Sequence, residues 1–157
     1  MNREPIRVGE PAPDFTLENQ EGKSVYLGDF KGQPVVLVFY PLDFSPVCSK
    51  EHVCFVNELK RFETLNAVVL GISVDSKYAH KAFAEKMNIN YNLLADFHPK
   101  GEVARKYGLY LEDLGITNRA TVVIDGKGIV RYVHVNEIPE QRDLEEIIAI
   151  LETIRKE

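Results

Sequence analysis

Cysteine is scarce in this chain. Two stand among its 157 residues, Cys48 and Cys54, too few for a disulfide scaffold. No apolar run approaches the ~20 residues of a membrane-spanning helix. The opening Met1-Asn2-Arg3-Glu4-Pro5 has no apolar stretch of the secretory kind. A cytoplasmic protein in a reducing compartment is therefore expected, where a cysteine pair serves catalysis, redox exchange or metal binding more often than structure. Positive charge is not in excess. The net charge is −5, with lysines and arginines interleaved with acids, which argues for a mixed solvated surface and against a nucleic-acid partner. A glycine-rich loop of P-loop or dinucleotide type is also missing, so nucleotide use has no support. There are no repeats, no low-complexity segment and no linker. The length suits one domain with its own core, and residues 1–157 are expected to form it.

What is present is a succession of short periodic segments. Phe15 to Leu17 and Ser24 to Leu27 flank Glu21-Gly22 and predict a hairpin. Val35 to Tyr40 is a near-continuous apolar run, as in a strand buried on both faces. A helix is expected from about Pro46 to Leu65, with Phe55, Val56, Leu59 and Phe62 on one face beside His52. Ala67 to Val74 is a second buried strand, and Ser76 caps a helix running to about Met87. Tyr91 to Ala95 is a short strand, and Gly101 to Tyr107 a short helix closed by Gly108. Ala120 to Asp125 and Ile129 to Val135 form a hairpin around Asp125-Gly126-Lys127-Gly128. The last helix spans about Arg142 to Lys156, with Leu144, Ile147, Ile148 and Leu151 inward. This order resembles a thioredoxin-like α/β fold: a central mixed β-sheet flanked by helices, with an N-terminal β-hairpin extension.

Cys48 stands where the first of these buried strands gives way to a helix, in the helix's first turn. A helix N-terminus offers unpaired N–H groups and partial positive charge, and both favour thiolate, the reactive form. A buried core thiol is the plain structural alternative. The surrounding residues favour the nucleophile. Pro41-x-x-x-Ser45-x-x-Cys48 resembles the peroxidatic motif of the peroxiredoxins, Pro-x-x-x-Thr/Ser-x-x-Cys. Glu51, Gly71-Ile72-Ser73-Val74-Asp75, Lys106-Tyr107-Gly108 and Arg119-Ala120-Thr121-Val122-Val123-Ile124-Asp125 follow in the order of that family's segments. The likeness covers about residues 8 to 150. Its Phe-Ser-Pro-Val-Cys wording resembles the AhpE-like subgroup, and its second cysteine the bacterioferritin-comigratory, PrxQ-like subgroup.

The resemblance implies a thiol-dependent peroxidase acting on hydrogen peroxide and organic hydroperoxides. It implies no haem, metal or flavin, and a thioredoxin- or glutaredoxin-like reductant as partner. It implies a monomer or homodimer with no nucleic acid and no membrane. Peroxide cleavage needs a thiolate, donors aimed at the peroxide oxygens and shelter from water. Cys48 would be the nucleophile, and the Ser45 hydroxyl would bond sulfur or peroxide. Arg119, permanently charged, would favour the thiolate and polarise the substrate. Pro41 would wall the pocket, and Glu51 would hold Arg119. Each has a plainer reading alone: Pro41 as strand end, Ser45 as N-cap, Glu51 and Arg119 as surface charges. His52 would pack against Phe55 or assist the thiolate. His80, His98 and His134 have no ligand spacing and are given no role.

Cys54 is the one thiol in the chain that could resolve a Cys48 sulfenic acid. Six residues along a helix it is turned ~240° and displaced ~9 Å, whereas a disulfide needs Cα atoms within ~7 Å. The first turns would have to unwind. The bacterioferritin-comigratory type has its resolving cysteine five residues on, not six. Two cycles stay open: resolution by Cys54, or by an external thiol. Two other functions compete. A thiol–disulfide oxidoreductase would show Cys-x-x-Cys, but Glu51 stands at the second position. A metal-binding module of Cys48, His52 and Cys54 offers three ligands where structural zinc takes four.

Overall fold

The computed structural model describes residues 4–137 and 142–157. Its first elements are the expected hairpin, β1 (Thr16–Glu18) and β2 (Ser24–Tyr26), paired antiparallel. Gly22 closes it at φ 77°, a conformation that suits glycine. After a 3-10 turn over Leu27–Phe30 comes β3 (Val35–Phe39), five residues all buried. Then follow α1 (Pro46–Thr64), β4 (Val68–Ser73), α2 (Lys77–Met87), β5 (Asn92–Ala95) and α3 (Glu102–Lys106). Ser76 caps α2 as expected, its hydroxyl accepting from the Ala79 N–H at 3.2 Å. The last elements are β6 (Tyr110–Leu111), β7 (Ile116–Thr117), β8 (Ala120–Ile124), β9 (Val130–Val135) and α4 (Leu144–Arg155). Asp143 caps α4, and Glu145 and Glu146 in its first turn complement the helix dipole.

A seven-stranded mixed sheet has the order β2-β1-β5-β4-β3-β8-β9. β3, β4 and β5 are parallel, while β8 runs antiparallel to β3. Alternation along β3 divides the core. Val36 and Val38 join Phe55, Phe62, Phe83, Ile147 and Leu151 beneath α1, α2 and α4. Leu37 and Phe39 join Leu70, Ile72, Leu94, Tyr107 and Val122 on the opposite face. This is the thioredoxin-like architecture with helices on a mixed sheet.

The N-terminal hairpin extends the central sheet, with Glu18 paired to Ala95. Two details differ from expectation. β6 and β7 form a second, two-stranded sheet that no sequence pattern announced. Arg142 lies ahead of α4, not in it. Residues 1–3 and 138–141, part of the expected single domain, lie outside the described residues. Among the described residues no helix is long and apolar enough to cross a membrane.

Candidate active site

The site grows from the C-terminal end of β3. Tyr40 and Pro41 are buried, and the chain turns through Leu42 to Ser45 into α1. Ser45 takes the N-cap position with extended backbone (φ −69°, ψ 148°), and Pro46 occupies the first helical turn, where its missing N–H costs nothing. The Ser45 side chain does not cap. Its hydroxyl donates to the Leu42 carbonyl at 3.2 Å, away from the expected bond to sulfur. The first helical hydrogen bond runs from the Ser49 N–H to the Ser45 carbonyl at 2.8 Å. The Val47 and Cys48 N–H groups therefore have no acceptor within the helix. Cys48 itself is a free thiol with no exposed surface.

Sheet register brings the guanidinium to it. Phe39 pairs with Ala120, so Arg119 lies beside the chain leaving β3. Its Nη2 donates to Cys48 Sγ at 3.3 Å, and its Nη1 pairs with Glu51 Oε1. Glu51 stands one helical turn beyond Cys48, and its second oxygen accepts the Arg142 N–H at 2.7 Å. The Arg142 guanidinium donates to the carbonyls of Phe39 and Ala120 and to the Thr121 hydroxyl. Burial pulls Arg142 down to about 10, with Glu51 pulling back up, so it remains charged at neutral pH. Arg119, Glu51 and Arg142 are all almost wholly buried. Cys48 Sγ thus faces the Arg119 guanidinium, and Glu51 is held between Arg119 and Arg142.

His52 does not add to this charge. It is buried against Tyr40 and Phe83, with ring centroids at 4.4 and 5.2 Å, and Nδ1 bonds the Tyr91 hydroxyl. Burial, then the nearby Arg142, His80 and Arg119, lower it from 6.5 to about 3. His52 thus packs against Tyr40, Phe83 and Tyr91, where Phe55 was the expected neighbour, and is neutral at working pH. A prediction follows. The unfolded chain protonates His52 near its ordinary value and the fold resists until about 3, so the stability of neutral burial is present above pH ~6.5 and lost as pH falls below it. The urea midpoint should drop on acidification from pH 7 to 4, and His52→Gln should flatten that slope. An equal slope in the variant would assign the acid sensitivity to other groups.

A second buried group lies behind the loop. The Tyr40 hydroxyl donates to Asp43 Oδ1 at 2.6 Å, and His80 Nδ1 meets Asp43 Oδ2 at 2.7 Å. His80 Nε2 donates to the Leu94 carbonyl at 3.0 Å. The Asp43 N–H donates to Asp75 Oδ2 at 2.9 Å, as does the Ser73 hydroxyl at 2.6 Å. Next to Asp43, Phe44 has φ 68°, a left-handed conformation rare for a bulky residue and costing about 1–3 kcal/mol. Its ring packs edge-on to Phe83 at 5.0 Å.

The structure therefore brings together Cys48, Glu51 and Arg119, with Pro41 buried and Ser45 half-exposed at the helix start. It does not bring Cys54 to them: Cys54 is exposed, and the helix between the two thiols is unbroken. The alternative metal set fails for the same reason, since Cys48 and His52 are buried and Cys54 faces solvent. Arg142, Asp43 and His80 were missed. For His80 a signal existed, its place on one α2 face with Phe83 and Ala84; for Arg142 none was local.

Residues 8–133 match the AhpC/TSA family. The chain is 37% identical over 150 residues to the chloroplastic peroxiredoxin Q of Triticum aestivum, covering 95% of this chain and 68% of that protein. The solved reduced 2-Cys peroxiredoxin of Plasmodium vivax superposes with a TM-score of 0.88 at 35% identity, over 97% of this chain and 83% of that one. The peroxidoxin BcpB of Mycobacterium tuberculosis gives 0.84 at 32%, over 95% and 98%. The chain belongs to the AhpC/TSA family of peroxiredoxins, and it is a thiol-dependent peroxidase.

Proposed function

We propose that Cys48 is the peroxidatic nucleophile. The observation that carries this reading is the 3.3 Å hydrogen bond from Arg119 to Cys48 Sγ at the head of α1. The thiolate attacks one peroxide oxygen in line and the O–O bond breaks. Sulfur keeps that oxygen as a sulfenic acid, and the other oxygen leaves with the electron pair, taking a proton to become water or an alcohol. Arg119 and the N–H groups of Val47 and Cys48 donate to the peroxide oxygens where charge develops. Glu51 positions Arg119, and Pro41 walls the site. Ser45 joins once its hydroxyl rotates from Leu42 toward substrate. Hydrogen peroxide and organic hydroperoxides are the substrates. The whole chain acts as one cytoplasmic domain, alone or as a homodimer.

The sulfenic acid forms first with Cys54 free, because α1 separates the thiols. A thioredoxin- or glutaredoxin-like thiol then reduces it, directly or after α1 unwinds and Cys54 attacks. Intact mass after one equivalent of hydrogen peroxide, with a sulfenic-acid trap, tests the reading. The expected first product is one oxygen heavier, and with the trap present the reagent replaces that oxygen on Cys48 as water leaves. A product two hydrogens lighter, forming later, marks a Cys48–Cys54 disulfide. A protein whose Cys48 stays reduced would overturn the assignment.

A further inference from the structure

The catalytic loop is anchored by groups that the chemistry at sulfur does not use. Asp43 is bound from three elements at once: Tyr40 at the end of β3, Asp75 after β4, and His80 on α2, itself tied to β5 through the Leu94 carbonyl. The Asp43 and His80 side chains have 1% and 0% exposure. The Leu94 carbonyl only accepts, so His80 Nε2 carries a proton. The short contact on the other side places one further proton between Nδ1 and the carboxylate. The pair is then neutral as a unit, which is how such groups are tolerated in a core. It grips the loop one residue before Phe44, whose left-handed backbone has to be held by its surroundings. Five residues beyond Asp43 is Cys48.

We propose that Asp43 and His80 are positioning residues: their buried pair clamps residues 41–45 in the conformation that presents Cys48 to peroxide, and releasing it lets the first turn of α1 open. The inference rests on the reading of Cys48 as nucleophile. It gives the pair opposite effects on two reactions of one sulfur. Attack on peroxide needs the closed geometry, with Arg119 and the helix N–H groups converging. Cys48 has no exposed surface as it stands, so either reagent needs some opening, and the larger iodoacetamide needs more of it than peroxide does.

The test uses the reduced full-length chain and three variants. Asp43→Ala removes the carboxylate. Asp43→Asn keeps the connections, its amide donating to the neutral Nδ1 of His80 and accepting from the Tyr40 hydroxyl. Asp43→Leu with His80→Leu fills the space without hydrogen bonds, and replaces the first variant if that fails to fold. Sulfenic acid formation at Cys48 is timed against hydrogen peroxide, and alkylation of Cys48 against iodoacetamide. Asp43→Ala or the double variant should form sulfenic acid about tenfold to a hundredfold more slowly. The same variant should be alkylated faster and exchange the amides of Ser49 and the residues of the next turn faster. Asp43→Asn should return both rates most of the way to those of the natural chain. Peroxide and iodoacetamide rates that fall together, or peroxide rates within twofold of the natural chain, would overturn the clamp while leaving Cys48 as nucleophile. If the unsubstituted chain forms no sulfenic acid at Cys48, the nucleophile reading and the clamp fall together.

Discussion

Cys48→Ser is expected to abolish peroxide turnover, lowering it by at least ~10³-fold, while the protein stays folded. The two side chains differ by one atom, and the serine hydroxyl keeps Arg119 Nη2 as a hydrogen-bond partner at the site of the 3.3 Å contact. What is lost is the anion. A serine hydroxyl stays protonated at neutral pH, so Arg119 faces no anionic nucleophile. No soft, polarisable nucleophile faces the peroxide. Neutral His52 can take no part as a base of ordinary strength, with its ionisation held near 3. Direct peroxide consumption with thioredoxin as reductant measures the loss, and circular dichroism with a urea titration measures the fold. Activity within tenfold of the natural chain would remove Cys48 from the reaction.

How far the sequence announced this site depended on range. The strand beneath it was legible because Val35 to Phe39 is apolar at every position, and a strand buried on both faces needs that. Ser76 before a periodic run marked the start of α2, and Asp125-Gly126-Lys127-Gly128 marked the turn between β8 and β9. The β6–β7 pair was not legible, because two residues are too few for alternation to show. Arg142 reads locally as the opening cation of a helix. Its burial comes from the Phe39 and Ala120 carbonyls and from Glu51, all distant in sequence. Asp43 and Ser45 lie in a visible motif, but the direction of a side chain in a turn depends on what packs against it. Asp43 turned inward to meet His80, and Ser45 turned to Leu42. The motif thus marked where β3 meets α1, while the contacts around Asp43 emerged only when β4 and α2 were brought alongside.

Arg119→Ala should slow sulfenic acid formation about 10²–10³-fold, the usual effect of removing one donor to a developing charge. It removes the side chain that donates to the sulfur. The helix N–H groups and Arg142 remain, so the loss should be smaller than that of Cys48→Ser. Stability complicates the comparison. Glu51 is buried at 4% exposure, and breaking a buried pair on one side typically costs about 3–5 kcal/mol because the remaining charge is stranded. Arg142 still faces Glu51, through its N–H at 2.7 Å and Nε at 3.4 Å, which places the expected cost below that range. Arg119→Met fills the space of the guanidinium and leaves Glu51 with Arg142, so it should recover part of the urea midpoint without restoring the rate. Arg119→Lys distinguishes charge from geometry. One ammonium cannot hold Glu51 and Cys48 together as two guanidinium nitrogens do, so lysine should fall between arginine and alanine. If lysine matches arginine, the site needs a positive charge and not a fork. If alanine itself reacts at the natural rate in a stopped-flow measurement with hydrogen peroxide, the contact between Arg119 and Cys48 has no part in attack on the peroxide.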